Sequence, residues 1–240
     1  MSGLSEFNAG AAEPSDVSLS NETTDHGRST PFMSLQYDPD EAVRHLSDVD
    51  PTLKGLIDRV GPFQLEVRSM LDPFQVLLRS IVYQQLAGHA AAAIYGRVVA
   101  TVGSDPPNPS AVLQTPDQTL RDAGLSWAKI ASLKDLASKT QDGLIPSLND
   151  LHEADTEEIV DRLTVVRGIG RWTVEMLLIF RLGRADILPV TDLGVRKGYM
   201  LTYGLDTMPA PKEFEGLCEH WRPYRSVASW YMWRAVDNVP

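Results

Sequence analysis

One stretch constrains the fold more than any other: Leu163 to Leu193, LTVVRGIGRWTVEMLLIFRLGRADILPVTDL. Just ahead of it Asp155 predicts a helix N-cap, with Glu158 reaching back from the third helical position. Ile159, Val160 and Leu163 give that helix an apolar face. Gly168 and Gly170 then reverse the chain within a few residues, because glycine tolerates backbone angles closed to other residues. A second helix is expected from Arg171 or Trp172 to Leu182, ended by Gly183. Trp172, Met176, Ile179 and Phe180 recur along one side of it at helical spacing. Asp192 follows, isolated, where a further helix begins.

A turn of this kind makes an anion site. Its glycines expose backbone N–H groups, and the following helix points its positive end at the same place. Arg167 and Arg171 flank it with charge. A bare G-x-G would be read as an ordinary helical hairpin. The fuller pattern L-x-x-V-x-G-I-G-x-W-T is more specific and resembles the helix-hairpin-helix that grips DNA phosphates without reading sequence.

A partner that carries negative charge must be reconciled with a net charge of −10. Residues 1–50 hold ten acids and two bases, leaving about −2 for the remainder, so the folded part is nearly neutral. Residues 1 to about 33 are rich in Ser, Thr, Gly, Asn and acids, and read as a disordered tail. Residues 34–240 read as the folded domain. No apolar run approaches membrane-spanning length, and the start of the chain reads as lacking a signal peptide. The single cysteine, Cys218, excludes an internal disulfide and any four-cysteine iron–sulfur or zinc site. A reducing location follows most simply, cytoplasmic or, in a eukaryote, nuclear.

Along the rest of the chain, residues 38–47 and 51–60 predict two short helices opened by Asp and Pro. Asp72 and Pro73 open a third, with Phe74, Leu77, Leu78, Ile81 and Val82 inward, ending at Gln84 and Gln85; an alanine-rich helix from His89 to Val102 follows. Residues 104–110 and 141–154 read as loops. A short helix from Pro116 to Ala123 precedes a tight Gly124–Leu125–Ser126 connection. The helix beginning at Trp127 turns Ile130, Leu133 and Ala137 inward and Lys129, Lys134 and Lys139 outward. Helices are also expected from Leu193 to Leu201, Lys212 to Trp221, and from Pro223 on. No stretch reads convincingly as a strand, so the fold is expected to be all-α. Taken singly, the Gln84–Gln85 pair would be a solvated helix end, His89 a surface or capping residue, Trp127 a half-buried packing residue or equally a functional one, and Asp192 an N-cap.

Together, G-I-G-R-W-T, the acid of P-V-T-D, the glutamine pair before a small-residue helix, and W-R-P-Y-R-S-x-A resemble one family. It is the helix-hairpin-helix DNA glycosylases, specifically the 3-methyladenine DNA glycosylase II (alkylation-repair) branch, and the likeness spans roughly residues 36–240. The resemblance implies a bilobal all-helical fold with its active cleft between the lobes. It implies a monomeric enzyme acting on double-stranded DNA that contains alkylated bases, excising purines of the 3-methyladenine and 7-methylguanine type. Asp192 falls on the family's catalytic aspartate, which stabilises the oxocarbenium-like charge formed as an N-glycosidic bond breaks; a helix N-terminus also suits its negative charge. Trp172 occupies the position where bifunctional relatives carry a nucleophilic lysine, so water is the expected nucleophile and no lyase step is expected. Trp172, Met176 and Trp233 fall on base-pocket positions, where indole faces suit a cationic purine; Met176 stands where an aromatic is found in a relative. Leu125, Ser126 and Trp127 fall on the wedge, and Gln84 and Gln85 on the positions that fill the vacated space. Arg167, Gly168, Gly170, Arg171 and Trp172 form the phosphate-binding turn, with Lys129 and Arg196 as further cationic candidates. No cofactor is implied for catalysis. A structural Na+ or K+ is implied at the carbonyls of Thr164, Val166 and Ile169. The alternatives are a glycosylase for oxidised or mismatched bases, and a helix-hairpin-helix DNA-binding protein without activity.

Overall fold

The computed structural model describes residues 35–68, 70 and 72–237, and among these every regular element is helical. In chain order they are α1 (Pro39–Val49), α2 (Pro51–Val60), α3 (Pro73–Tyr83), α4 (Gly88–Val102), α5 (Pro109–Gln114), α6 (Asp117–Asp122) and α7 (Trp127–Gln141). Then come α8 (Leu148–Glu153), α9 (Thr156–Thr164), α10 (Arg171–Phe180), α11 (Leu193–Tyr203), α12 (Pro211–Leu217), a 3-10 turn (Glu219–Trp221) and α13 (Arg225–Asp237). The acidic tail predicted for residues 1–33 lies outside the described residues. The helices fall into two compact units, one within Met70–Gly170 and the other within Thr30–Ser69 and Arg171–Pro240.

In the first unit α7 is the central strut, packed against α3, α5 and α6. It buries Ile130, Leu133 and Ala137 as its periodicity predicts, and Leu136 with them. Its lysines depart from expectation. Lys134 donates to the carbonyls of Leu113 (2.9 Å) and Thr115 (2.5 Å), and Lys139 pairs with Asp135. Lys129 donates to Val82 O and Gln84 O. Each ammonium finds a main-chain or carboxylate acceptor within the unit, and a charge pattern alone carries no sign of such acceptors. The predicted loop 141–154 holds the short helix α8, and α5 starts at the end of the predicted loop 104–110 and runs on to Gln114. Asn108 caps α5 by accepting from Ala111 N, and Ser147 and Asp150 form a reciprocal capping box at α8. At α9, Asp155 accepts from Glu158 N as predicted, but the Glu158 carboxylate lies 3.5 Å from Arg162, one turn on.

In the second unit α11 and α13 approach closely enough at Gly198 that no side chain fits there. A Cβ added to Gly198 would lie 2.0 Å from Met232 O, a backbone atom that cannot swing aside. The predicted helix from Lys212 to Trp221 is interrupted after Leu217 and continues as the 3-10 turn. The expected end of α10 at Leu182 comes at Phe180: the N–H groups of Arg181 and Leu182 both turn back to Leu177 O, and Gly183 follows in the left-handed region.

One buried carboxylate joins several parts of this unit. Asp50, 5% exposed, caps α2 through Oδ1, which accepts from Thr52 N (3.0 Å) and Leu53 N (2.9 Å). Its Oδ2 meets Tyr203 OH at the end of α11, His220 Nε2 at 2.7 Å and Trp221 Nε1 at 2.9 Å. Burial pushes this carboxyl up, but the Leu53 N–H and the Tyr203, His220 and Trp221 donors outweigh it and hold its pKa at about 2.

Candidate active site

The chain reaches Asp192 along an anchored path. The N–H of Ser226, in the first turn of α13, donates to Ala185 O (2.9 Å), and its hydroxyl accepts from Ile187 N (3.0 Å). Between these, Asp186 takes Arg225 Nε at 2.6 Å and Arg222 Nη1 at 2.5 Å. The W-R-P-Y-R-S motif therefore clamps the segment that delivers Asp192. Arg225 is buried and committed to this role. The clamp could not be read from the sequence, because its partner Asp186 lies 39 residues upstream of Arg225.

Asp192 is the N-cap of α11, with Oδ1 accepting from Val195 N at 2.8 Å. Two indoles complete its surroundings. Trp233 Nε1, from α13, donates to Oδ1 at 3.0 Å, and Trp172 Nε1, from α10, donates to Oδ2 at 2.7 Å. Three N–H groups from three helices thus aim at one carboxylate. A carboxylate has about four lone-pair sites, so this grip leaves roughly one unclaimed by the described residues. The geometry fixes both oxygens and keeps the carboxylate half-exposed. Gly194 makes this possible: a Cβ there would lie 2.9 Å from Trp233 Cδ1 and 3.2 Å from Asp192 Oδ1. That residue carries no chemistry, and nothing in its local sequence marks it.

The rings add shape. Trp172 is 37% exposed. Met176 sits one turn further along α10, on the same side and half-buried. Phe180, a further turn on, stacks against Trp233 with ring centroids 5.6 Å apart, covering one indole face. Sequence periodicity placed Phe180 on this side but not against Trp233.

The other predicted residues lie in the first unit. Leu125 is 1% exposed, whereas Trp127 is 55% exposed with Arg121 5.9 Å from its ring. The Leu125 carbonyl accepts from Arg121 Nη1 (2.8 Å), and Ser126 caps α7 by accepting from Lys129 N. Of the three tip residues, only Ser126 and Trp127 present side chains to solvent. Gln84 and Gln85 also part ways. Gln84 Nε2 donates to Gly168 O at 2.8 Å, while Gln85 is exposed and takes a left-handed conformation at φ 57°.

At the turn, Gly168 has φ 79°, and a Cβ there would approach Ser132 Oγ to 2.6 Å. The N–H of Arg167 donates to Asp135 Oδ2 at 2.7 Å, and Ile169 N to Val166 O at 3.0 Å. The N–H groups of Gly168 and Gly170 meet no acceptor among the described residues, and the Arg167 side chain is exposed. Arg171 Nε lies 3.1 Å from Glu175 Oε1, so its charge is partly met. Arg196 Nε is committed to Pro209 O (2.9 Å).

Comparison with known proteins bears on this arrangement. Residues 78–223 match the family described as "HhH-GPD superfamily base excision DNA repair protein". A relative from Schizosaccharomyces pombe, DNA-3-methyladenine glycosylase 1, is 38% identical over 193 residues, covering 79% of this chain and 84% of the relative. Among solved structures, the S. pombe 3-methyladenine DNA glycosylase in complex with abasic DNA aligns with a TM-score of 0.72 at 36% identity. That alignment covers 81% of this chain and 95% of the other. A DNA-3-methyladenine glycosidase from Bacillus halodurans aligns with a TM-score of 0.74 at 33% identity, covering 85% and 91%.

Proposed function

Because the chain belongs to the HhH-GPD superfamily of base excision DNA repair proteins, we propose that it is a monofunctional DNA N-glycosylase for alkylated purines of the 3-methyladenine and 7-methylguanine type. The observation that carries this reading is the Asp192 carboxylate held by the N–H groups of Val195, Trp172 and Trp233.

Inside a duplex the glycosidic bond is out of reach, so the lesion must first leave the stack. The exposed Trp127 and Gln85 are the side chains suited to enter it and fill the gap; the buried Leu125 supports the tip from beneath. The free N–H groups of Gly168 and Gly170 and the exposed Arg167 suit the phosphates of one strand. The base then lies against the indoles. An alkylated purine carries positive charge, which an indole face attracts and a neutral base lacks. As the bond lengthens, positive charge grows on the sugar and Asp192 stabilises it, an interaction strongest in the transition state. The carboxylate's one remaining lone-pair site can orient the attacking water. No amine stands at position 172, so no Schiff base forms and the product is an intact abasic strand.

The alkali cation implied at the turn fits the donors available. Backbone carbonyls are neutral, hard oxygen donors, and Val166 O, which already accepts from Ile169 N, keeps a second lone pair. The carbonyls of Thr164, Val166 and Ile169 would hold Na+ or K+, whose charge would draw a phosphate to the turn. We read the enzyme as a monomer working on chromosomal DNA, in the bacterial cytoplasm or a nucleus.

The test is mass spectrometry of bases released from methylated DNA, paired with borohydride trapping. We expect free 3-methyladenine and 7-methylguanine and no covalent enzyme–DNA adduct. Release of only oxidised or mismatched bases would move the enzyme to another lesion class, and binding without release would make it a DNA-binding protein. An efficient adduct would overturn the monofunctional mechanism.

A further inference from the structure

Lys129 is a charge placed beside the DNA-facing tip of α7 yet turned away from solvent. Its Nζ donates to Val82 O and to Gln84 O, each at 2.7 Å. Both carbonyls belong to the C-terminal end of α3, where no helical N–H remains to meet them and where the helix dipole favours a cation. Burial pulls the ammonium below the ordinary lysine range.

What these carbonyls control is the next residue. Gln85 sits at φ 57° without being a glycine. That conformation is disfavoured for a residue with a side chain and persists only where its surroundings over-determine it. Here the turn is held from two sides: Lys129 grips the Gln84 carbonyl, and the Gln84 amide grips Gly168 O. Lys129 lies two residues beyond Trp127, in the first turn of α7. Further along the same helix, Asp135 accepts from Arg167 N in the glycine turn. One helix therefore carries the exposed tryptophan and holds the residues on either side of the exposed glutamine's anchor.

We propose that Lys129 is a positioning residue: it locks the Gln84–Gln85 turn to the Trp127 end of α7, so that Gln85 and Trp127 enter DNA as one preset insert. It is then not a phosphate contact, although its position in the sequence suggests one. The proposal rests on the glycosylase reading above and deepens it.

The two roles make opposite predictions for Lys129→Met. A positioning residue lowers excision from duplex DNA roughly tenfold, as loss of a charged hydrogen-bonding anchor does. It lowers excision of the same lesion from a single strand much less, because no stack has to be opened. It also leaves the slope of log affinity against log salt unchanged, whereas a phosphate contact lowers that slope by about one unit. Lys129→Met should add little to Gln85→Ala, since both act through one insert. A reduced salt slope, equal losses on the two substrates, or additive losses in the double mutant would overturn the proposal.

If Lys129→Met does not fold, the wild-type protein still decides. The Lys129 ammonium should give a slowly exchanging NH3+ resonance both free and bound to an abasic-site duplex. Its loss on binding, or coupling to a DNA phosphorus, would overturn the lock. If the wild type releases no base from either substrate, the glycosylase reading fails. The lock is then judged on affinity for the abasic-site duplex, through the same double mutant.

Discussion

Replacing Asp192 with Asn separates its duty as the N-cap of α11 from the catalytic one proposed for it. Asn caps a helix about as well as Asp, so α11 should keep its start and the thermal midpoint should barely move. The charge is lost, and with it the interaction that strengthens as the glycosidic bond breaks. Base release should fall about a hundredfold or more in kcat, while affinity for lesion-bearing duplex stays nearly intact. Single-turnover kinetics beside equilibrium binding would check this. Equal losses in turnover and affinity would mean that the residue serves the fold alone. The grip by two indole N–H groups sharpens the expectation, since an Asn in that place must present its oxygen to one donor and its NH2 to another.

At the scale of helices, glycines of α11 make the clearest claims. Gly198→Ala sets a methyl into the Met232 carbonyl, so the helix pair must separate. A loss of about 3 kcal/mol or more is expected, at the upper end of overpacking costs. Gly194→Ala meets the Trp233 ring instead, which can rotate. It should cost less stability but disturb the indole–carboxylate bond, lowering kcat. Urea unfolding of both variants, with turnover measured alongside, would tell them apart. Neither glycine was legible in the sequence, because what requires each is a residue more than 30 positions away. Elements with strong local signals were legible: Asp38, Asp50 and Asp72 mark the starts of α1, α2 and α3, each followed by Pro. The six-residue α5 and α8 were not, although Ser147-x-x-Asp150 carried a capping-box pattern. A run of two turns is too short to show apolar periodicity. The site divides the same way. Asp192, Trp172 and Trp233 came from the family resemblance, and nothing local joined them. The burial of Leu125 overrides the exposed wedge position that the resemblance gave it, and the inward turn of Lys129 is a tertiary fact that residue type points against.

For the molecule as a whole, the Asp50 cluster sets an acid limit. Its carboxyl has a pKa of about 2 in the folded protein against an ordinary 3.8. The folded state is therefore the weaker proton binder, and the stabilisation is present above about pH 4 and lost as the pH falls toward 2. By linkage it amounts to about 2 kcal/mol. Urea unfolding between pH 2 and 7 should show wild-type stability declining across that window. In Asp50→Asn this contribution should be missing at neutral pH and the acid decline shallower. An unchanged pH profile in the variant would assign the decline to other carboxylates.

The backbone contact at Gly198 also bears on how such an enzyme can change over generations. Asp192 rides at the start of α11 and Trp233 in α13, and these two helices touch main chain to main chain. The spacing of carboxylate and indole is thus inherited from the backbone, not adjustable by exchanging side chains along the interface. Variation that admits new lesions is then expected in the α10 side chains that do not hold Asp192, those at 176 and 180. A selection for altered substrate range should enrich there and leave the facing surfaces of α11 and α13 untouched.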